Sequence, residues 1–166
     1  MDFNDTAEEA KFRKEAYEWL KANADLKEGP KDGWRASSEE EGLEQVKIWQ
    51  NKLYESGWAC MHWPKEFGGR ESTPIERVIW GQEISKFKVP GGYLEIGQGM
   101  AGPVMMMYAT EEQKARHLPP MAKGEEIWCQ LFSEPGAGSD LAGLKTKSVL
   151  EGDTWTINGQ KIWTSG

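Results

Sequence analysis

Four helix starts are spelled out in the first two thirds of the chain, and they confine that region to helices. Thr6 stands three residues before Glu9, and Ser38 three before Glu41. Each pair reads as a capping box, a hydroxyl N-cap with a carboxylate placed to return the bond. Thr110 with Gln113 caps another helix, and Thr73-Pro74-Ile75-Glu76 opens one with proline at its first position, where no backbone bond is lost. Apolar residues follow at helical spacing: Phe12, Ala16, Trp19 and Leu20; Leu43, Val46, Trp49 and Leu53; Ile75, Val78, Ile79, Ile84 and Phe87. The first helix is expected over residues 7–22, and Gly57 is a C-cap for the second. A further helical stretch is expected over residues 93–107, interrupted at Gly102-Pro103. The helix after Thr110 is expected to stop near Pro119-Pro120, since neither proline has an N–H to donate.

The pattern changes at Ile127. Residues 127–132 read as a strand, and a glycine-rich loop follows over 135–143. Residues 145–150 and 154–157 alternate like strands about Glu151-Gly152-Asp153. Asn158-Gly159 is a two-residue hairpin signal, with a last strand over 160–164. The fold class is therefore α+β: an N-terminal all-α helical domain, then the first strands of an antiparallel β domain. The expected domains are residues 1–125 and 126–166. A few strands rarely stand alone, so a chain ending at Trp163-Thr164-Ser165-Gly166 reads as cut short.

Charge and cysteine usage exclude several classes. Lys and Arg number 20 against 27 Asp and Glu, a formal charge of −7, which argues against a nucleic-acid binder. The longest apolar stretch, near Val104 to Tyr108, is far below the roughly 20 residues of a membrane span. Residues 1–5 show neither the basic nor the apolar part of a secretory signal. Cys60 and Cys129 are far apart, which fits buried thiols and no disulfide framework or zinc cluster. Nine tryptophans point to large packing surfaces or a planar ligand, with packing the favoured reading.

The strongest local chemistry lies in Ser133-Glu134-Pro135-Gly136-Ala137-Gly138-Ser139-Asp140. Glycines at alternate positions let main-chain N–H groups approach an anion, and Ser139 adds a hydroxyl. No G-K-[ST] makes it a Walker loop, and no βαβ unit makes it a dinucleotide fingerprint. Glycine content by itself favours a plain surface loop. Asp140 is expected to fix the loop locally, and Glu134 reads as a structural carboxylate. Trp163 with Thr164 and Ser165 places an indole beside hydroxyls, suited to a planar ring or to a core. His62 and His117 are isolated and read as structural. Glu39-Glu40-Glu41 is a favourable first helical turn, and Met105-Met106-Met107 reads as packing.

WCQLFSEPGAGSD (128–140), LAGLKT (141–146), INGQKIWTSG (157–166), YATEEQKARHLPPMAKGEE (108–126) and GWACMHWPKEFGG (57–69) together resemble the acyl-CoA dehydrogenase family, over essentially the whole chain. The resemblance implies flavoproteins of fatty acid and lipid metabolism. Their fold is an N-terminal helical domain, a middle β domain and a C-terminal helical bundle. It implies FAD as cofactor and an oxidation of acyl-CoA to 2,3-enoyl-CoA: a proton leaves Cα, and hydride passes from Cβ to flavin N5. Gln130, Phe132 and Ser133 would line the flavin, and Trp163 would lie against its ring with the Ser165 hydroxyl near N5. Gly138 and Ser139 would contact the FAD pyrophosphate or the CoA pantetheine. Ser133 and Ser165 stand where many relatives carry threonine, and Thr164 replaces a common isoleucine. The base lies on the C-terminal bundle, so no catalytic residue is assigned here, and the chain alone is expected to be inactive. WCQLFSEP resembles a subgroup acting on dicarboxylic, aromatic or steroid side-chain thioesters. Implied partners are acyl-CoA, an electron-transfer flavoprotein or similar acceptor, and further subunits of a homo- or hetero-oligomer. The implied location is the cytoplasm, or the mitochondrial matrix in a eukaryote. The alternative is a non-catalytic chain that completes a partner's flavin site.

Overall fold

The computed structural model describes residues 4–164. The chain divides into two compact units, Met1–Ile127 and Trp128–Gly166, the first helical and the second built round a β-hairpin, so the fold is α+β. In chain order the first unit holds α1 (Ala7–Asn23), β1 (Asp25–Leu26), α2 (Glu39–Glu55), α3 (Pro74–Ile84), β2 (Phe87–Lys88), α4 (Gly102–Tyr108) and α5 (Glu111–Lys123). Thr6, Ser38, Thr73 and Thr110 each accept the N–H three residues on. The box closes reciprocally at Thr6, Thr73 and Thr110. At Ser38 it does not: the Glu41 carboxylate accepts the N–H and hydroxyl of Ser37 instead.

Phe12, Ala16 and Leu20 of α1 are buried, as are Val46, Trp49 and Leu53 of α2 and Ile79 of α3. Phe87 is buried too, but not on a helix. The chain leaves α3 at Ser85, and Phe87 pairs with Leu26 in the short antiparallel β1–β2 ladder. Ile75 and Val78, expected on the packed side of α3, are exposed. The aromatic count is largely accounted for by packing. Trp58 stacks on Trp80 at 4.6 Å and 14°, Trp19 lies 5.6 Å from Trp49 and 6.1 Å from both, and the Arg70 guanidinium covers Trp58 at 3.9 Å.

Trp63 is wholly buried, and its indole N–H donates to the Gln98 carbonyl at 2.9 Å. Gly102 sits against its ring and Gly69 against its backbone, and a Cβ at either glycine would overlap it. The expected interruption at Gly102-Pro103 is a widening one turn earlier. Residues 97–101 form a π turn in which the Gly102 N–H reaches the Gly97 carbonyl, and α4 then runs on through Pro103.

Pro119-Pro120 does not end α5, which continues to Lys123 and closes on Gly124 in the left-handed region. Two intrahelical bonds are forfeited. Burial of Leu118, Met121 and Ala122 offsets that loss, as do Gln50 and Gln98, whose amides donate to the carbonyls of Ala122 and Met121. Cys60 is buried, and burial pushes its thiol up to about 12. Cys129, expected buried, is exposed, on a segment with no regular secondary structure and no ladder partner.

Glu83 is 1% exposed and lies 2.8 Å from Arg13 and 2.6 Å from Lys86. Burial raises its pKa, but the bonds from Lys86 and Arg13 outweigh this and hold it below the ordinary range. Arg13→Met leaves Lys86 as the remaining cation and is expected to cost about 2–3 kcal/mol in denaturant unfolding. With the folded pKa depressed, the pair's contribution is present above the unfolded value and lost as pH falls. The variant should therefore show a shallower loss of stability below the ordinary glutamate range. An unchanged midpoint at pH 7 would contradict this account.

Candidate functional site

The second unit is organised by β3 (Lys147–Glu151) and β4 (Thr154–Asn158), antiparallel in the register Ser148↔Ile157 and Leu150↔Trp155. Gly152, at φ 62°, makes the turn between them. Asn158-Gly159 is not a hairpin turn. Asn158 is the last rung, opposite Lys147, and Gly159 lets the backbone pass against Thr146, which a Cβ would strike. The strands expected over 127–132 and 160–164 have no regular secondary structure and form no ladder. One backbone bond joins the two stretches, from the Ile162 N–H to the carbonyl of Ser133, just past the first, at 3.0 Å.

The glycine-rich loop folds into two tight pieces. Glu134 and Ala137 exchange both backbone bonds, at 2.9 and 3.1 Å, round Pro135-Gly136. A 3₁₀ turn follows at Leu141–Gly143, where the Gly143 N–H donates to the Asp140 carbonyl. The Asp140 side chain does not cap that turn. The loop is fixed instead by Glu134, 6% exposed, whose carboxylate accepts the N–H of Lys145 at 2.7 Å, that of Thr146 at 2.9 Å and the Lys161 ammonium at 2.9 Å. Bonds from Thr146, from the Lys145 amide and from Lys161 pull its pKa down to about 2. Such a carboxylate is a structural clamp and a poor base at neutral pH.

Gln130 and Ser133 are half-buried on the segment that leads to the clamp, with Phe132 exposed between them. Trp163 is 80% exposed and takes φ 53°, unusual for a bulky residue. The bond from Ile162 to Ser133, and one from Lys161 Nζ to the Phe132 carbonyl at 3.1 Å, bring the segments of Ser133 and Trp163 together. Gly138 and Ser139 lie on the exposed limb beyond the Glu134–Ala137 turn, and among the described residues no hydrogen bond ties them to Trp163. Ser165 lies outside the described residues. The pattern that marked the loop gave no role to Lys161 or Thr146. The one available signal was Glu134 itself, a carboxylate in a loop rich in backbone donors.

Other features fit a site less well. A cleft of about 460 Å³ in the helical unit is lined by Trp34, Trp49, Lys21 and Lys52. The two lysines stand in last helical turns, where they offset carbonyl ends. His117 lies 3.5 Å from Glu126, beside Arg116. Among the described residues no group of three or more His, Cys, Asp or Glu could hold a metal, and no helix is long and apolar enough to cross a membrane.

Residues 6–125 match the family described as "Acyl-CoA dehydrogenase, N-terminal domain". The chain is 41% identical over 127 residues to acyl-CoA dehydrogenase IpdE1 of Mycobacterium tuberculosis, covering 76% of this chain and 33% of that protein. It is 37% identical over 171 residues to IpdE1 of Mycolicibacterium smegmatis, covering 93% of this chain and 42% of that one. The ChsE4-ChsE5 complex of Mycobacterium tuberculosis superposes with a TM-score of 0.71 at 30% identity, over 99% of this chain and 40% of that chain. The chain thus spans less than half the length of these relatives. With that family matched over residues 6–125 and the fold of an acyl-CoA dehydrogenase complex matched over nearly the whole chain, the chain belongs to the acyl-CoA dehydrogenase family.

Proposed function

We propose that this chain is the N-terminal part of an FAD-dependent acyl-CoA dehydrogenase, with residues 1–125 as its helical domain and residues 126–166 opening its β domain. The observation that carries the reading is the joining of the Ser133 and Trp163 segments by the bonds of Ile162 and Lys161. It sets a hydroxyl and an exposed indole on two tied segments, as a flat ring needs. The loop also fits. A Cβ at Gly136 or Gly138 meets nothing within 4 Å, so the chain's own packing does not require glycine there, while close approach of a ligand would.

FAD, when bound, supplies the acceptor for the hydride that leaves Cβ. The residues of this chain hold and orient. Gln130, Phe132 and Ser133 line the ring, with the Ser133 hydroxyl donating to its edge. Trp163 covers one face and excludes water. Ser165 offers a second hydroxyl, on the strength of the resemblance alone. Gly138 and Ser139 bind a diphosphate or pantetheine. The proton at Cα is taken by a carboxylate from outside residues 1–166. The substrate is an acyl-CoA, and the partners are an electron-transfer flavoprotein or similar acceptor and further subunits, in the cytoplasm. A second reading, a chain that completes a partner's flavin site, draws on the ChsE4-ChsE5 neighbour, which is a complex of two different proteins. The gene sequence after Gly166 separates them: a helical bundle carrying a Glu or Asp base fits the first, a stop codon the second.

In the full-length protein, Trp163→Ala is expected to weaken FAD retention by about 1–3 kcal/mol, roughly five- to 150-fold, from loss of ring stacking. Secondary structure should be unchanged, because the side chain is exposed. Flavin fluorescence on dilution measures it, and equal retention in mutant and wild type would remove Trp163 from the site.

A further inference from the structure

We infer that Lys161 is a positioning residue for the flavin site, acting through Glu134 and the Phe132 carbonyl to fix the spacing between the segments that carry Ser133 and Trp163. This rests on the reading of those two residues as flavin contacts. One ammonium makes two bonds, to Glu134 Oε1 at 2.9 Å and to the Phe132 carbonyl at 3.1 Å. These acceptors flank Ser133, and Lys161 lies two residues before Trp163. The neighbouring Ile162 N–H donates to Ser133 itself. Residues 132–134 and 161–162 are therefore tied at three successive positions although neither segment belongs to a ladder.

The anchor at the other end is rigid. Glu134 is also held by the N–H groups of Lys145 and Thr146, where the chain enters β3, and its backbone is closed on Ala137. Lys161 thus connects the Trp163 segment to the hairpin and to the loop at once. It is 20% exposed, so replacing it removes the tie without opening a core. A counter-ion serving only the buried Glu134 would act on folding. A positioning residue acts on ligand affinity beyond any effect on folding.

The test uses the full-length protein and free FAD, comparing wild type, Lys161→Met and Lys161→Arg by flavin fluorescence titration and by thermal unfolding of each apoprotein. Lys161→Met should bind FAD about ten- to a hundredfold more weakly, the scale of a small misplacement of binding groups. The apoprotein midpoint should fall as well, since Glu134 keeps only its two backbone donors, but by less than the loss of affinity, and Lys161→Arg should recover most of both by restoring a cationic donor. Unaltered FAD affinity in Lys161→Met overturns the inference, and so does a loss no larger than the fall in apoprotein stability accounts for. If Lys161→Met does not fold, Lys161→Gln, which keeps a donor without the charge, takes its place under the same two outcomes. A wild type that binds no FAD refutes the flavin reading, and this inference with it. A wild type that binds FAD beside an unaffected variant refutes the inference alone.

Discussion

Gly102→Ala in the full-length protein is expected to destabilise the helical unit by about 3 kcal/mol, against the usual direction of such a change. An exposed glycine inside a helix normally gains up to about 1 kcal/mol on becoming alanine. Here the new Cβ would overlap the Trp63 ring. That ring has no room to retreat. It is wholly buried, its N–H is held by the Gln98 carbonyl, and its backbone lies against Gly69. Relief requires α4 to move or the indole to leave its rotamer, and overpacking of this kind costs about 1–3 kcal/mol and sometimes more. Gly99→Ala is the control. It lies in the same helical stretch, and a Cβ there meets nothing within 4 Å, so it should be neutral or stabilising. Denaturant unfolding of the two variants side by side decides the matter. Similar midpoints would mean that the Trp63–Gly102 contact is not a close one in solution.

Residues 1–166 expressed alone, with FAD and an acyl-CoA added, should not reduce an artificial electron acceptor. The carboxylate nearest the proposed flavin contacts is Glu134, and its oxygens are taken by two backbone N–H groups and an ammonium, with its pKa held at about 2. Asp140 is exposed, on the limb beyond the Glu134–Ala137 turn. Loss of a positioned general base alone typically removes a factor of about 10²–10⁴, and incomplete enclosure of the ring lowers the rate further. Turnover within tenfold of a full-length relative would show that a base in these residues has been overlooked.

The helices were legible because their signals are local. A hydroxyl with a carboxylate or amide three residues on, followed by apolar residues at helical spacing, decides an N-terminus without reference to the rest of the chain. Where distant partners decide, the sequence misled. Pro119-Pro120 reads as a stop, yet Gln50, some seventy residues earlier, donates to the end of that helix. Phe87 reads as the next turn of α3, yet Leu26 draws it into a ladder. Asn158-Gly159 has the composition of a turn, yet Gly152 makes the turn and Gly159 is needed where Thr146 crowds the backbone. In the site, the loop and the tryptophan were picked out by residue type and by resemblance. The Lys161–Glu134 clamp was not, because 26 residues separate its members and their meeting depends on the hairpin between them.

All ten residues of β3 and β4 are exposed, including Leu150, Trp155 and Ile157, which the register places on one side of the pair. A ladder with no covered face gains little from its own contacts, whereas the helical unit buries Trp49, Trp58 and Trp63 and caps its helices within itself. As the polypeptide is synthesised, the two should therefore order at different times. The helical unit can settle while the hairpin still fluctuates. The hairpin, and the loop clamped to it, would become permanent only when other protein surface covers Leu150, Trp155 and Ile157. Until then this apolar strip is what a chaperone or a protease would meet first.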